Sequence, residues 1–312
     1  MSNATSHINR RLGDFVRSQW ACYRFLQRFG RDVSLVIGGQ GGIGDDLLLT
    51  PLIYEQHRQS GHRVVVGTRT AELFEHNPAV AGCTVPDHGL HRWLGAYGVF
   101  VSMPVYDGWY PNDAVLGQPQ QHIVREMACS GHLPTPASLD PRIYLTAAEL
   151  AGGGRSRTKI LFQTSSDVIG KPNKQWFPER FTAVAHRLAA AGYAVAQVGK
   201  MTDAPLRVGE DFRGTRSIRE LAALIANATV LVGLVGLMMH LARAVGCPAV
   251  VIYGGREAPW QSGYPENENL ASAVPCAPCW YWQRCDYGRE CMKGITVDDV
   301  HAAALRVLAR PR

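Results

Sequence analysis
Short apolar, β-branched stretches run into glycine turns and then into helices, and this alternation continues through almost the whole chain. Strands separated by helices pair in parallel, and the helices cover the sheet faces, so the pattern leaves few folds open. The first series predicts a strand over 33–38, a helix over 45–60 with apolar residues at Leu47, Leu48, Leu49, Leu52 and Ile53, and a strand over 63–67. A short helix over 72–76, strands over 83–86 and 98–102, and a helix over 120–130 complete it. Pro134, Pro136, Pro141 and the glycines 152–154 interrupt the rhythm. It restarts with strands over 159–163, 193–198, 230–232 and 249–253, interleaved with helices over 178–191, 218–226, 238–245 and 297–308. The expectation is an α/β protein of two doubly wound parallel-sheet domains with a cleft between them. Their spans are 1–150, beginning with a helical segment over 1–30, and 151–312, holding a cysteine cluster over 276–291 and the terminal helix. At 312 residues the chain is long enough for two cores.

Residues 221–242 contain no Asp, Glu, Lys or Arg and are long enough to span a bilayer. Asn227, Thr229, Gly233, Gly236 and His240 break the run, which reads as helix end, buried strand, glycine turn and new helix. No signal peptide is visible in the polar first twenty residues, and the expectation is a soluble, cytoplasmic protein, with the inner membrane face as a working place. A formal charge of +6 suits diphosphates or an anionic membrane surface, and with no basic tract it speaks against nucleic acid. The segment carrying Arg10, Arg11, Arg17, Trp20, Tyr23, Arg24 and Phe25 is either a peripheral membrane contact, a subunit contact or a plain packed helix.

After the first strand, Gly39, Gly41 and Gly44 form a G-x-G-x-x-G, the pattern of a dinucleotide-binding turn. Asp45 and Asp46 follow at the helix start, where a carboxylate repels a pyrophosphate. The second strand ends at Arg69 with no acid for a ribose, which keeps an NADP-dependent enzyme as a lesser alternative. A carboxylate at a helix N-terminus stays ionised and points into the crevice, the place for a general base. The bland role is helix capping, assigned here to Asp46.

The run Gly44–Asp45–Asp46 into Leu47–Leu48–Leu49–Thr50–Pro51 resembles the N-terminal motif of glycosyltransferase family 9, the heptosyltransferases of lipopolysaccharide core assembly. Lys174–Gln175–Trp176–Phe177–Pro178 with Phe181 is similar to the family's K-x-W-x-P-x-x-F segment, and Ser217–Ile218–Arg219–Glu220–Leu221 and Met239–His240–Leu241–Ala242 are similar to two of its helices. The resemblance covers residues 33–310. It implies the GT-B fold of two Rossmann-like domains, with the acceptor on the first and a nucleotide diphosphate sugar, usually ADP-heptose, on the second. It implies transfer with inversion to a glycan, lipid or protein acceptor, Asp45 as base and Lys174 on the diphosphate, with Lys171 as a neighbouring alternative. Donor contacts would come from Thr164, Gly236, Leu237, Met238, Met239, His240 and Gly254, with Gly255 and Arg256 beside them. Gly41, Gly42 and Gly44 would form the acceptor-side loop. His240 is read equally well as a buried helix residue. No Asp-x-Asp occurs, so no catalytic metal is expected.

Where the family pattern has V-G-x-D-[ST]-G-x-x-H, this chain has Val235, Gly236 and Leu237 in place of the acid, hydroxyl and glycine. That departure carries the second reading, a catalytically silent scaffold or binding protein. Cys276, Cys279, Cys285 and Cys291 offer four thiols for a structural zinc or iron, or stand as free thiols or a disulfide. Some protein-O-heptosyltransferases related to the resembled family carry a cysteine-bound iron in a comparable place.

Overall fold
A computed structural model describes residues 2–37, 42–85, 90, 93–106, 118–153, 159–165 and 172–311. In chain order the elements are α1 (Ser2–Phe29), β1 (Val33–Ile37), α2 (Ile43–Ser60), β2 (Arg63–Gly67), β3 (Val80–Thr84), β4 (Phe100–Ser102), α3 (Ile123–Ser130) and α4 (Ala147–Gly152). Then come β5 (Lys159–Gln163), α5 (Pro178–Ala190), β6 (Ala194–Val198), β7 (Glu210–Asp211), α6 (Ile218–Ala226), β8 (Val230–Leu234) and α7 (Leu237–Ala244). The last are β9 (Ala249–Gly254), α8 (Pro259–Ser262), β10 (Glu268–Ala271), α9 (Glu290–Lys293) and α10 (Val297–Leu308).

The strands form two sheets, ordered β3-β2-β1-β4 and β10-β9-β8-β5-β6-β7, with every pairing parallel. In each sheet the direction of winding reverses once, between β1 and β4 and between β5 and β8. Ligands of doubly wound sheets sit at such reversals, beyond the carboxyl ends of the strands.

Side-chain alternation explains the apolar strands. Leu161, Leu231 and Val251 face one cluster while Ile160, Phe162, Val230, Val232, Val250 and Ile252 face another, so the second sheet is buried on both sides. The second cluster takes α5 and α10 through Phe181, Val184, Leu188, Val300 and Val307. The first runs through both halves of the molecule, joining Leu47, Leu48 and Leu52 of α2 to Met238, Met239 and Leu241 of α7. A third places Cys22 and Phe25 of α1 on Leu35 and Val65 of the first sheet and on Val99 just before β4.

The suspected membrane span resolves into α6, β8, the turn at Gly236 and α7, and no helix among the described residues is long and apolar enough to cross a membrane. The third strand begins at Val80, ahead of the expected 83–86 run, because Ala79 and Val80 are the buried pair. β7 and β10 had no strand signal; both are short edge strands, and edge positions need little apolar surface.

Candidate active site
Asp45 sits in the first turn of α2, directly after β1. Its Oδ2 accepts from the Gly42 amide at 2.6 Å, and its Oδ1 accepts from the Tyr106 hydroxyl at 2.9 Å. Tyr106 follows β4, so the pair closes the reversal point of the first sheet. Asp46 was expected to cap the helix. Asp45 takes that bond instead, and the buried Asp46 Oδ2 accepts from the Thr68 hydroxyl at 2.6 Å at the end of β2. One residue of helix turns the second carboxylate inward.

Gly44 explains why the helix start must be glycine. A Cβ there would lie 3.2 Å from the Leu237 Cα and 3.3 Å from the Leu237 nitrogen, so the first turn of α2 rests on the first turn of α7. Gly42 is exposed with open space around it, and Gly41 lies outside the described residues. Gly236 precedes α7 at φ +145°, a conformation side chains rarely adopt, and offers no side-chain cap. The first amides of α7 therefore have no partner from within their helix. Val235, Met238 and Met239 are buried in the shared cluster, while Leu237 is half-buried, so this turn presents backbone and little polar side chain.

The end of β5 leads to Lys174, whose Nζ pairs with Glu257 at 2.5 Å while lying 5.3 Å from the Trp282 ring centre. Burial pulls the Lys174 ammonium below its usual range, and the Glu257 carboxylate opposes this. Burial pushes the Glu257 carboxyl up, but the Lys174 and Arg256 charges outweigh it and hold it at about 2. The contact of Gly44 with Leu237 sets the two reversal points side by side, and Asp45 lies within electrostatic reach of Lys174. Lys171 lies outside the described residues.

The remaining donor-side candidates divide. Thr164 is buried, donating its hydroxyl to the Ala204 carbonyl at 3.2 Å and accepting from Gln197 at 2.9 Å. His240 pairs through Nδ1 with the Tyr264 hydroxyl at 2.7 Å, and burial holds its imidazole neutral, down at about 3. Gly254, at φ +62°, leaves room for Met292: a Cβ there would reach the Met292 methyl carbon.

Cys276, Cys279, Cys285 and Cys291 stand as free thiols, one of the alternatives their spacing left open, and a structural metal is not supported there. Among the described residues no three His, Cys, Asp or Glu side chains are placed to hold a metal ion. The thiols are engaged in packing. Cys291 abuts Gly255, Cys285 accepts from the Arg289 amide at 3.2 Å, and burial pushes the Cys279 and Cys291 thiols up. The segment serves as a strap. Cys279 and Trp280 amides bond Gly255 and Arg256 carbonyls at 2.9 Å each, and Asn173 reaches the Arg284 carbonyl at 2.8 Å.

Tyr106 and Glu257 were missed in the sequence. Tyr106 meets Asp45 across 61 residues of chain, and a glutamate followed by no partner motif reads as surface.

Residues 132–284 match the family model described as glycosyltransferase family 9 (heptosyltransferase). That segment is similar to glycosyltransferase family 9. A 98-residue stretch is 34% identical to lipooligosaccharide heptosyltransferase 2 of Haemophilus influenzae, covering 27% of this chain and 28% of that relative's own length. The E. coli ADP-heptose lipopolysaccharide heptosyltransferase II superposes with a TM-score of 0.65 at 17% identity over 89% of this chain and 98% of that one. A family 9 glycosyltransferase of Veillonella parvula gives 0.66 at 17%, over 89% and 97%. The iron-containing dodecameric glycosyltransferase of enterotoxigenic E. coli gives 0.69 at 18%, over 89% and 76%. These likenesses establish the GT-B fold. The family 9 match spans Lys174 and Gly236 but begins after Asp45 and Tyr106.

Proposed function
We propose that this chain is an inverting glycosyltransferase of heptosyltransferase type. It takes a sugar from a nucleotide diphosphate donor, ADP-heptose by the relationship to family 9, and gives it to a glycan, lipid or protein hydroxyl. The supporting observation is the pairing of two sheet-reversal points across one cleft, Asp45 with Tyr106 on one side and Lys174 with the Gly236 turn on the other. Asp45 accepts the acceptor's hydroxyl proton as the oxygen attacks the anomeric carbon from the face opposite the diphosphate. The bond from that carbon to the diphosphate oxygen breaks, and its electron pair leaves with the nucleotide, toward Lys174 and the first amides of α7. Release of nucleotide from ADP-, GDP- and UDP-sugars tests this. ADP-heptose is the expected substrate, and Asp45→Ala lowers turnover at least about a hundredfold.

A second reading, a silent GT-B scaffold, draws on Val235, a buried side chain with no polar atom where the family pattern has a carboxylate. Absence of turnover with every donor, together with no thermal shift from any nucleotide, selects the scaffold.

The proposed place of work is an anionic membrane face. Residues 1–32 hold six arginines against two aspartates, most of the chain's positive excess. Within α1, Val16, Trp20 and Tyr23 are exposed, Trp20 and Tyr23 stacked at 5.3 Å, on a face away from Cys22 and Phe25, while the part-exposed Phe15 meets the Trp93 ring edge-on. Aromatic rings flanked by arginines suit the interfacial zone of a bilayer. Sedimentation with phosphatidylglycerol-containing vesicles, lost in the Trp20→Ser, Tyr23→Ser variant and absent with pure phosphatidylcholine, is the expected result. Equal sedimentation of the variant removes the proposal.

A further inference from the structure
The carboxyl ends of β5 and β9, on either side of β8, carry one buried charged knot. Glu257 Oε1 accepts from Lys174 Nζ at 2.5 Å and from Arg256 Nη1 at 2.6 Å, and Glu257 Oε2 accepts from the Ser262 hydroxyl at 2.9 Å. Arg256 is 2% exposed, with its guanidinium 3.4 Å from the Trp282 ring centre. Its Nε is buried and has no hydrogen-bond partner among the described residues. Two cations on one carboxylate leave a positive excess in a dry place, and an unpaired buried donor is costly unless something arrives to use it.

We infer that Glu257 is a positioning residue, clamping Lys174 and Arg256 side by side so that both cations meet the departing diphosphate of the sugar donor. This rests on the transfer reading above. The electron pair of the breaking bond adds negative charge to the diphosphate, and preorganised cations stabilise that charge in the transition state. Glu257 itself touches no reacting atom. It also supplies a carboxylate beside Lys174 and within electrostatic reach of His240, on a chain whose family position for an acid is the buried Val235. The charged or titratable groups facing Lys174 are Glu257, Arg256, Asp45 and His240; those facing Glu257 are Lys174, Arg256, His240 and Tyr253.

The test uses the full chain and compares wild type with Glu257→Gln, Glu257→Asp and Arg256→Met. Calorimetry reads ADP affinity, and nucleotide release reads KM, kcat and the alkaline limb of the pH profile. Glu257→Gln should lower kcat by about thirtyfold or more and move the alkaline limb to lower pH, because Lys174 loses the charge that keeps it protonated. Glu257→Asp should recover much of kcat, and Arg256→Met should weaken ADP binding about tenfold. If Glu257→Gln melts below the assay temperature, Ser262→Ala, which frees only one carboxylate oxygen, should shift the same limb by less. An unmoved limb with unchanged ADP affinity overturns the inference even if kcat falls, because a structural role would do the same. Wild type that neither binds ADP nor releases nucleotide overturns the transfer reading, and the inference with it. Turnover by wild type with an unmoved limb and unchanged ADP affinity in the variants overturns the inference alone.

Discussion

Asp45 and Asp46 are neighbours with the same side chain and opposite surroundings. Asp45 is half-exposed, holding the Gly42 amide and Tyr106, while Asp46 is buried on Thr68. The helical turn of about 100° per residue sends one to the cleft and one to the core. His240 shows the same dependence on place. It was legible as a helix residue, but only Tyr264, 24 residues on, marks it as a buried neutral imidazole paired with a hydroxyl. His122 is similar: its Nδ1 accepts from the Val124 amide at 3.3 Å, and burial holds it down at about 4. Both imidazoles therefore protonate more readily in the unfolded chain, whose histidines titrate near 6.5. Their contribution to stability is complete above that pH and is lost as pH falls from 6.5 toward 4. The expected loss is up to about 1.4 kcal/mol per pH unit for each. Urea midpoints at pH 7 and pH 5 measure it, and His122→Gln with His240→Gln should flatten the slope. A slope of the same steepness in the double variant counts against the assignment.

At the scale of elements, α2 and α7 meet through their first turns, and Gly44 sets the separation. A side chain there presses on Leu237 backbone, which has no rotamer to yield. Gly44→Leu should cost about 1–3 kcal/mol, the range for overpacking a close contact, and should lower turnover by displacing Asp45. Thermal melting and nucleotide release together check this, and an unchanged melting temperature would sink it. The helices and central strands were readable because their apolar patterns repeat at local spacing, as in Leu47, Leu48 and Leu52 or Ile160 and Phe162. The cysteine strap was not. Spacing suggested a metal knot, whereas backbone bonds to Gly255 and Arg256 and the packing of Cys291 on Gly255 decide its shape.

Across the whole molecule, the two sheets are tied by apolar packing and by a few charged clamps. Arg219 of α6 bonds Glu149 of α4 at 2.5 Å, the Glu72 carbonyl at 3.0 Å and the Tyr144 carbonyl at 2.8 Å. Its hydrogen bond is the leading reason the Glu149 carboxyl lies well below the usual carboxylate range. Arg219→Met should speed amide exchange in Ala147–Gly152 about tenfold while leaving β5 and β8 protected. Uniformly faster exchange would show that the clamp holds the fold rather than that one element.

The sequence by itself determined the α/β alternation, the glycine turns, and Asp45 and Lys174 as the residues to watch. The alternation and turns follow from periodicity, and Asp45 and Lys174 from short segments that resemble a known family's, all of which neighbours along the chain carry. Only the tertiary structure decided which groups complete them. Tyr106 joins Asp45 from another strand end, and Glu257 and Arg256 join Lys174 from the far side of β8. Parallel strands bring their carboxyl ends together whatever their separation in sequence, so the chemistry of the cleft is set by contacts that no local pattern encodes.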